Sequence, residues 1–352
     1  MTALGSSSLV GKRSRTPIDP EVALSRAEST LLALRERSAV PAESWRSIKQ
    51  VHADDCRTYY TLAALSRRRE LSSVYRERSL RLLFRLRTAI ESAIIEDLDA
   101  AVSIEPFLTT WASRSFFGVS AKQGVSIRFA LASCVPTRTC GGLCYAHDGR
   151  DRELHILFRG ALNYWAADMF EAAGEGERSN LLQRLESAID YGVEMAVRDR
   201  SAALADGYAR KPRIRFSHVG EMASTPTFTN AVAKAIKRVN SDVQCVIYTR
   251  HPTANELDPE LLVINFTVEG DADPRLAMAP KGARLVGSAW DGALSEIAEI
   301  NFLEHHVEKS SSALGVGFIC PVTVEHARGG SCDGCRCQAC FVDVAESLKG
   351  PT

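Results

Sequence analysis

The stretch RIRFSHVGEMASTPTFTNAVAKAIKRVNSDVQCVIYTR, residues 213–250, decides the fold class. Apolar runs at 213–219 and 243–249 predict two short strands. Between them, residues 226–239 follow a Ser-Thr-Pro start signal and predict an amphipathic helix. Strand, helix and strand in this order are typical of an α/β fold with a parallel sheet.

The same alternation extends to both sides of this stretch. Further strands are predicted at 125–133, 262–268, 284–288 and 315–319, and further helices at 154–172 and 177–205. We therefore expect an α/β partial (β/α) barrel over residues 104–318.

The first hundred residues have a different composition. They are rich in Ala, Leu, Arg and Glu and contain almost no Gly, which favours helices. Leu83, Leu86, Ile90 and Ile94 recur at helical spacing and predict an amphipathic helix over about 74–97. We expect four parts, which are a disordered tail (1–18), a helical module (19–103), the α/β domain (104–318) and a Cys-rich metal-binding segment (319–352).

The charge is balanced, with 43 basic and 43 acidic residues, so no global excess points to nucleic acid or an anionic membrane. Eight Arg and two Glu between Arg67 and Arg87 form one local excess that could hold phosphate groups. The interpretation we favour is a solvated helix surface paired with acidic residues. The sequence shows neither a signal peptide nor a run of apolar residues long enough to span a membrane, so we expect a cytoplasmic protein without a membrane partner.

Ten cysteines are the unusual feature of the composition. In a reducing compartment, clustered thiols more often bind metal than form disulfides. Cys134, Cys140 and Cys144 follow a predicted strand on a loop that contains Gly141 and Gly142. Three sulfurs leave a fourth position open, as in a reactive iron–sulfur cluster. Alternatively, Cys134 is a buried thiol and the other two belong to a zinc site.

A second group of thiols lies near the C-terminus. It contains two C-x-x-C units separated by one residue and comprises Cys332, Cys335, Cys337 and Cys340, with Cys320 further upstream. Four thiolates at this spacing bind zinc or a [4Fe-4S] cluster. If Cys320 also binds metal, five candidates compete for four positions, and one of them is free to complete the first centre.

Polar residues follow two of the predicted strands, where ligands bind in α/β folds. His218 lies near the end of the strand at 213–219, and Gly220 and Glu221 follow it. Together they suit acid–base work or binding of a ligand amine. Tyr248 and Arg250 end the strand at 243–249, and Arg250 suits a carboxylate or phosphate. The alternatives are a core histidine and a loop ion pair.

These motifs together resemble the phage and plasmid gene-product-88-like family, which is Cys-rich and associated with iron–sulfur binding. The resemblance covers about 115–341 and rests on Cys144-Tyr-Ala, Tyr248-Thr-Arg and the C-terminal cysteines. Where the family has Lys-Thr-Gly and Ser-Gly-Asp, this chain has Lys122-Gln-Gly and Ser217-His-Val-Gly-Glu. A carboxylate after Gly is retained, which implies a role for Glu221.

The chain is also similar to radical S-adenosylmethionine proteins, whose partial barrel carries three Cys in the loop after its first strand. In that family the open iron binds the amine and carboxylate of the cosubstrate. The spacing between Cys134, Cys140 and Cys144, five and then three residues, differs from the family's usual three and then two.

We therefore predict an iron–sulfur protein with one or two [4Fe-4S] clusters. The first hypothesis is a radical S-adenosylmethionine-like enzyme acting on an unknown substrate, with an electron-donor protein as partner. One alternative is a zinc-stabilised module of mobile-element origin that binds nucleic acid or protein, and another is a two-cluster electron carrier.

Overall fold

The structure is a computed structural model. It describes residues 19–66, 72–120, 124–137, 140, 144–147, 153–205, 211–289, 295–298, 300–303 and 318–319. The tail predicted at 1–18 lies outside these ranges. So do Lys122 and the C-terminal thiols Cys320, Cys332, Cys335, Cys337 and Cys340.

Five α-helices precede the sheet in the described part of the chain. Their bounds are α1 Pro20–Glu36, α2 Trp45–Val51, α3 Ala53–Leu65, α4 Ser73–Asp99 and α5 Glu105–Trp111. Helix α1 begins at an Asp19 cap, whose carboxylate accepts hydrogen bonds from the amides of Glu21 and Val22. Helices α1, α3 and α4 pack on one another.

Helix α4 connects this helical part to the rest of the molecule. The apolar stripe predicted for it is confirmed, because Leu83, Leu86, Ile90 and Ile94 are all fully buried. The basic surface predicted between Arg67 and Arg87 is only partly as expected. Arg78 pairs with Glu28 at 2.9 Å on the surface, whereas Arg87 is completely buried. Arg87 therefore cannot belong to a solvated helix face.

The sheet contains eight described strands in sequential order from β1 to β8. Their bounds are β1 Phe117–Ser120, β2 Gly124–Ile127, β3 Arg213–Phe216, β4 Gln244–Thr249, β5 Leu262–Val268, β6 Arg284–Ala289, β7 Ile300–Leu303 and β8 Phe318–Ile319. Strands β1 and β2 are antiparallel. Every later pair is parallel. A mixed α/β fold with a mostly parallel sheet is thus confirmed.

Helices form two of the crossovers between parallel strands. Helices α6 Leu154–Ala172, α7 Glu175–Arg184 and α8 Glu186–Ala205 join β2 to β3, and α9 Pro226–Val239 joins β3 to β4. Short 3₁₀ segments lie between β4 and β5 and between β5 and β6. Parallel strands all have their carboxyl ends at the same edge of the sheet, so the loops after β2 to β5 meet there.

Helix α9 is fixed by one aromatic side chain. Phe228 is fully buried, and its ring lies near those of Trp111, Phe116, Phe129 and Phe170, at centroid distances of 6.1, 6.4, 6.3 and 5.4 Å. Burying a phenylalanine contributes about 2–3 kcal/mol. This contact fixes the crossover that follows the predicted Glu221 segment.

Two predicted strands end earlier than expected. The strand predicted at 125–133 ends at Ile127, and a 3₁₀ turn at Leu131–Ser133 follows, closed by the Ser133 hydroxyl on the Ala130 carbonyl at 2.7 Å. The strand predicted at 213–219 ends at Phe216 because Ser217 has a φ of 59°, which extended backbone does not tolerate. Both corrections place turns where candidate site residues begin.

Other boundaries also differ. The helix predicted at 177–205 is two helices with a break at Leu185. Strands β1 and β7 were not predicted, and of the strand predicted at 315–319 the structure describes Phe318–Ile319. Among the described residues, no helix is both long and apolar enough to cross a membrane.

Candidate functional site

The candidate site lies at the carboxyl edge of the parallel sheet. We call residues 134–144 the thiol loop, of which the structure describes 134–137, Cys140 and Cys144. The loop follows β2 after the 3₁₀ turn at Leu131–Ser133. The chain after β3 brings Glu221 to the same edge.

A hydroxyl group joins the turn after β2 to the segment after β3. The amide of Glu221 donates to Ser133 Oγ at 2.8 Å, and the Phe129 amide donates to the Val219 carbonyl at 2.7 Å. The side chain of Glu221 is buried. Its backbone is thus held next to the beginning of the thiol loop.

Gly220 makes this close approach possible. Its φ is +76°, and a Cβ atom there would lie 2.5 Å from the Ala130 carbonyl oxygen and 2.6 Å from Phe129 Cβ. A side chain at this position would therefore collide with the backbone before the thiol loop. Gly220 is a structural requirement for the Glu221 placement, rather than a residue that offers a functional group.

The carboxyl group of Glu221 has a raised pKa and one oxygen without a hydrogen bond. Burial raises its pKa to about 7, against the opposing effects of a Thr249 hydrogen bond and the positive charges of Arg250 and Arg275. Its Oε2 atom is buried and accepts no hydrogen bond. A buried acceptor without a donor carries a free-energy cost, which a ligand that donates a hydrogen bond would remove.

The three thiols of the loop lie near this carboxyl group. Burial raises the pKa of Cys134 well above its usual value, and negative charge on Glu221, Cys144 or Cys140 would raise it further. Burial, followed by Cys140, raises the pKa of Cys144 to about 12. Cys134 also packs against the apolar cluster that contains Cys144. The surroundings favour neutral thiols, and a bound cation would reverse that preference.

Arg250 brings a positive charge to the same place. Burial opposes its charge, but Cys140, Glu221 and Glu269 raise its pKa above the usual value. Arg250 Nη1 donates to Glu269 Oε1 at 2.8 Å. The loop ion pair that the sequence analysis gave as an alternative is present, and it lies within the site.

Glu269 also holds the thiol loop. It follows β5 directly, and the hydroxyl of Thr137 donates to it. The same hydroxyl accepts from the amide of Cys140 at 2.9 Å. Glu269 and Thr137 therefore link Arg250 to Cys140 through three hydrogen bonds. Glu269 was not predicted from the sequence, although its position just after the strand predicted at 262–268 could have indicated a site residue.

Asp273 and Arg275 hold the turn that carries Glu269. Asp273 Oδ2 accepts from the Glu269 amide at 2.8 Å, and the two Asp273 oxygens accept from Arg275 Nε and Nη2 at 2.9 and 2.6 Å. Such a bidentate pair has a defined geometry. It fixes the turn that presents Glu269.

His218 and Tyr248 are the other two predicted catalytic residues. His218 is buried, and its amide donates to the Ile127 carbonyl at 2.9 Å, so its backbone continues the sheet contact beyond β3. The ring of Tyr248 lies 4.6 Å from the Arg215 guanidinium. Adjacent residues of a strand point to opposite faces, so Tyr248 lies on the face opposite to Thr249.

The structure thus brings together Cys134, Cys140, Cys144, Glu221 and Arg250. Within the described ranges, no three His, Cys, Asp or Glu residues are placed as a ready-made metal site. The side chains there are three soft sulfurs and a carboxyl group with one unpaired oxygen, and sulfur is a donor type that thiophilic metals prefer. The predicted C-terminal centre lies outside the described residues.

Comparison with known proteins finds no relative of this chain. No protein-family model matches the chain, and no curated protein or solved structure matches it. The chemistry of the site's own side chains is therefore the basis of the proposed function.

Proposed function

We propose that this chain is an iron–sulfur protein in which Cys134, Cys140 and Cys144 hold a [4Fe-4S] cluster, and that it acts as a radical S-adenosylmethionine-like enzyme. The observation that carries the proposal is the meeting of three thiols from one loop with Glu221 and Arg250 at the carboxyl edge of the sheet.

The number of thiols supports a cluster with one open position. Three protein sulfurs leave one iron of a [4Fe-4S] cluster without a protein ligand, and such an iron supplies an exchangeable binding position and an electron. A structural zinc site would use a fourth protein ligand. The carboxyl group of Glu221 and the guanidinium of Arg250, at the same edge of the sheet, suit a bound molecule.

Glu221 and Arg250 have complementary roles in this proposal. The unpaired Oε2 of Glu221 accepts a hydrogen bond from the amine of an amino-acid cosubstrate. The guanidinium of Arg250 donates to its carboxylate while Glu269 keeps the guanidinium in place. Glu221 is buried and the Arg250 side chain is only 12% exposed, so little water reaches these groups and their interactions are stronger.

Strand order supports a partial barrel around the site. From β2 to β8 each parallel strand pairs with the next one along the chain, which is the order of a (β/α) barrel. We propose that the sheet curves in this way, so that the loops after β2 to β5 face a shared interior. The C-terminal thiols, Cys320, Cys332, Cys335, Cys337 and Cys340, remain the proposed second centre, with a [4Fe-4S] cluster or zinc.

Anaerobic purification with analysis of iron, sulfide and zinc tests the cluster. The wild-type chain is expected to contain iron and sulfide, and Cys140→Ala is expected to lose the share held by the thiol loop. Cys56→Ala is the matched control, because Cys56 is fully buried in α3. A colourless protein with stoichiometric zinc and no iron would contradict the proposal and favour the zinc-stabilised module.

The two proposed centres are distinguished by a second variant. Cys335→Ala is expected to lose a different part of the iron or zinc from that lost by Cys140→Ala. If the two variants lose the same metal completely, the two groups of thiols belong to one centre.

Equilibrium dialysis with S-adenosylmethionine tests the enzyme part of the proposal. The iron-loaded protein is expected to bind it, and Glu221→Gln is expected to weaken binding by about tenfold, because a hydrogen bond to a charged group contributes about 1.5–3 kcal/mol. Glu256→Gln, in the 3₁₀ segment after β4, is the control. An iron-loaded protein that binds no S-adenosylmethionine would be a two-cluster electron carrier instead.

A further inference from the structure

The N-terminal helical part reaches the candidate site through a buried ion pair. Arg87 and Glu91 lie one turn apart on α4, and Arg87 Nε donates to Glu91 Oε1 at 2.8 Å. Both side chains are completely buried. Taking two charges out of water is costly, and apolar side chains of similar volume are often at least as stabilising. A buried pair on an otherwise apolar stripe therefore calls for another role.

The other hydrogen bonds of Arg87 and Glu91 indicate what this role is. Arg87 Nη1 donates to the carbonyl of Ala146 at 2.9 Å, two residues after Cys144. Glu91 Oε2 accepts from the amide of Ala132 at 3.3 Å, two residues before Cys134. One ion pair thus holds both ends of the thiol loop.

Neighbouring side chains of the helical part reinforce these contacts. Phe84, one turn before Arg87, packs in a buried cluster with Leu131, Cys144, Ala146 and Val219. The hydroxyl of Tyr59 on α3 lies 3.1 Å from His147 Nδ1. The segments on both sides of the thiol loop are therefore packed against α3 and α4.

The ion pair also places charge next to the thiols. The guanidinium of Arg87 lies against Ala146, two residues after Cys144, so its positive charge is close to that thiol. Arg87 keeps this charge in spite of its burial, because a guanidinium stays protonated and is paired here with Glu91. An adjacent cation favours the more negative, reduced state of a metal–thiolate centre.

We propose that Arg87 and Glu91 are positioning residues of the thiol site, which hold both ends of the thiol loop and set the electrostatic environment of a metal bound there. The N-terminal helical part is then a component of the site and not an appended module. The positioning role stands on the contacts alone, and only the effect on a metal rests on the proposed function.

The first test uses the metal-free protein and hydrogen exchange. Arg87→Met with Glu91→Leu replaces the pair by apolar groups, so the variant keeps a filled core without a stranded charge. We expect cooperative unfolding as in wild type, with exchange of the amides at 131–137 and 144–147 at least tenfold faster. Arg78→Met is the control, because Arg78 lies on the surface of the same helix. Unchanged exchange in the double variant would refute the positioning role.

The second test uses Co²⁺, whose thiolate complexes absorb strongly, in chains that all carry Cys335→Ala, so that the C-terminal thiols contribute less to the signal of the loop. Loss of residues that orient metal ligands typically costs 10–100-fold in metal affinity. We expect a loss of that size in the double variant and none in Arg78→Met. Equal Co²⁺ affinity in the double variant and wild type would contradict the proposal. If wild type itself binds no Co²⁺ or iron, the proposed function fails, and hydrogen exchange still decides the positioning role.

A third measurement separates charge from shape. In protein loaded with iron and sulfide, Arg87→Met is expected to lower the midpoint potential of the centre, and Arg87→Lys, which keeps the charge, is expected to restore it. A purely structural role would not produce this rescue. Equal potentials in all three proteins would refute the electrostatic part of the proposal.

Discussion

Gly220 is the residue on which the placement of Glu221 depends. Gly220→Ala is expected to destabilise the protein by more than about 3 kcal/mol, because a left-handed alanine costs about 1 kcal/mol and the new Cβ also collides with backbone atoms. Gly270→Ala is the matched control, with a φ of +109° and open space around the added Cβ. Urea unfolding measures both variants. Similar losses at the two positions would show that backbone strain alone determines the effect.

Asp273 is expected to make stability depend on pH in the acidic range. Although burial opposes ionisation, its hydrogen bonds with Arg275 lower its pKa from 3.8 to about 2. Because the folded pKa is the lower one, this stabilisation is complete above about pH 4 and is lost as the pH falls towards 2. Its size is on the order of 2 kcal/mol.

Asp273→Asn tests this contribution. The variant is expected to be less stable than wild type by that amount at pH 7, with a smaller difference near pH 2, as measured by urea unfolding at both values. Asp242→Asn, at an exposed position, is the control. A difference that stays constant with pH would mean that ionisation of Asp273 is not its source.

At the scale of single elements, helix α6 lies unusually close to the backbone that leads to the thiol loop. A Cβ atom on Gly160 would lie 2.7 Å from the Phe129 carbonyl oxygen. Gly160→Ala is therefore expected to move the helix and to cost about 1–3 kcal/mol. Gly176, in α7, has open space around it, so Gly176→Ala is expected to be neutral or up to about 1 kcal/mol stabilising. Thermal unfolding compares the two, and a stable Gly160→Ala would contradict the close packing.

Elements with strong periodicity or clear start signals were predictable from sequence. Helices α6 and α9 and strand β5 lie where the pattern places them. The short strands β1 and β7 were missed, because four residues are too few to show a period. The early end of β3 was also missed, since a serine in the left-handed conformation has no sequence signature.

At the scale of the whole molecule, the helical part and the sheet are expected to unfold together. Trp45 of α2 contacts Phe158 of α6 with their rings 5.7 Å apart, and Trp165 Nε1 donates to Asp99 Oδ1, at the end of α4, at 3.0 Å. Hydrogen exchange of the amides of α4 and β4 should therefore show the same dependence on denaturant. A lower opening free energy for α4 would show two independent units.

The residues of the candidate site were only partly predictable from the sequence. Cys134, Cys140, Cys144, Glu221 and Arg250 were indicated because they lie beside predicted strand ends. Arg87 and Glu91 were not, because their contribution comes from a helix far away in the sequence. Their one local signal is two opposite charges one turn apart beside the apolar stripe of Leu86, Ile90 and Ile94, and on an exposed helix the same pair would be ordinary.

The parallel pairing of β2 with β3 has a consequence for how the protein is made. This pairing joins Val125 to Ile214, so during synthesis the three thiols leave the ribosome well before strands β3, β4 and β5. Helix α4, with Arg87 and Glu91, has already emerged by then. The nascent thiol loop thus meets its helical partner first and its sheet partners last. The site that includes Glu221, Arg250 and Glu269 can therefore form only after translation has passed β5.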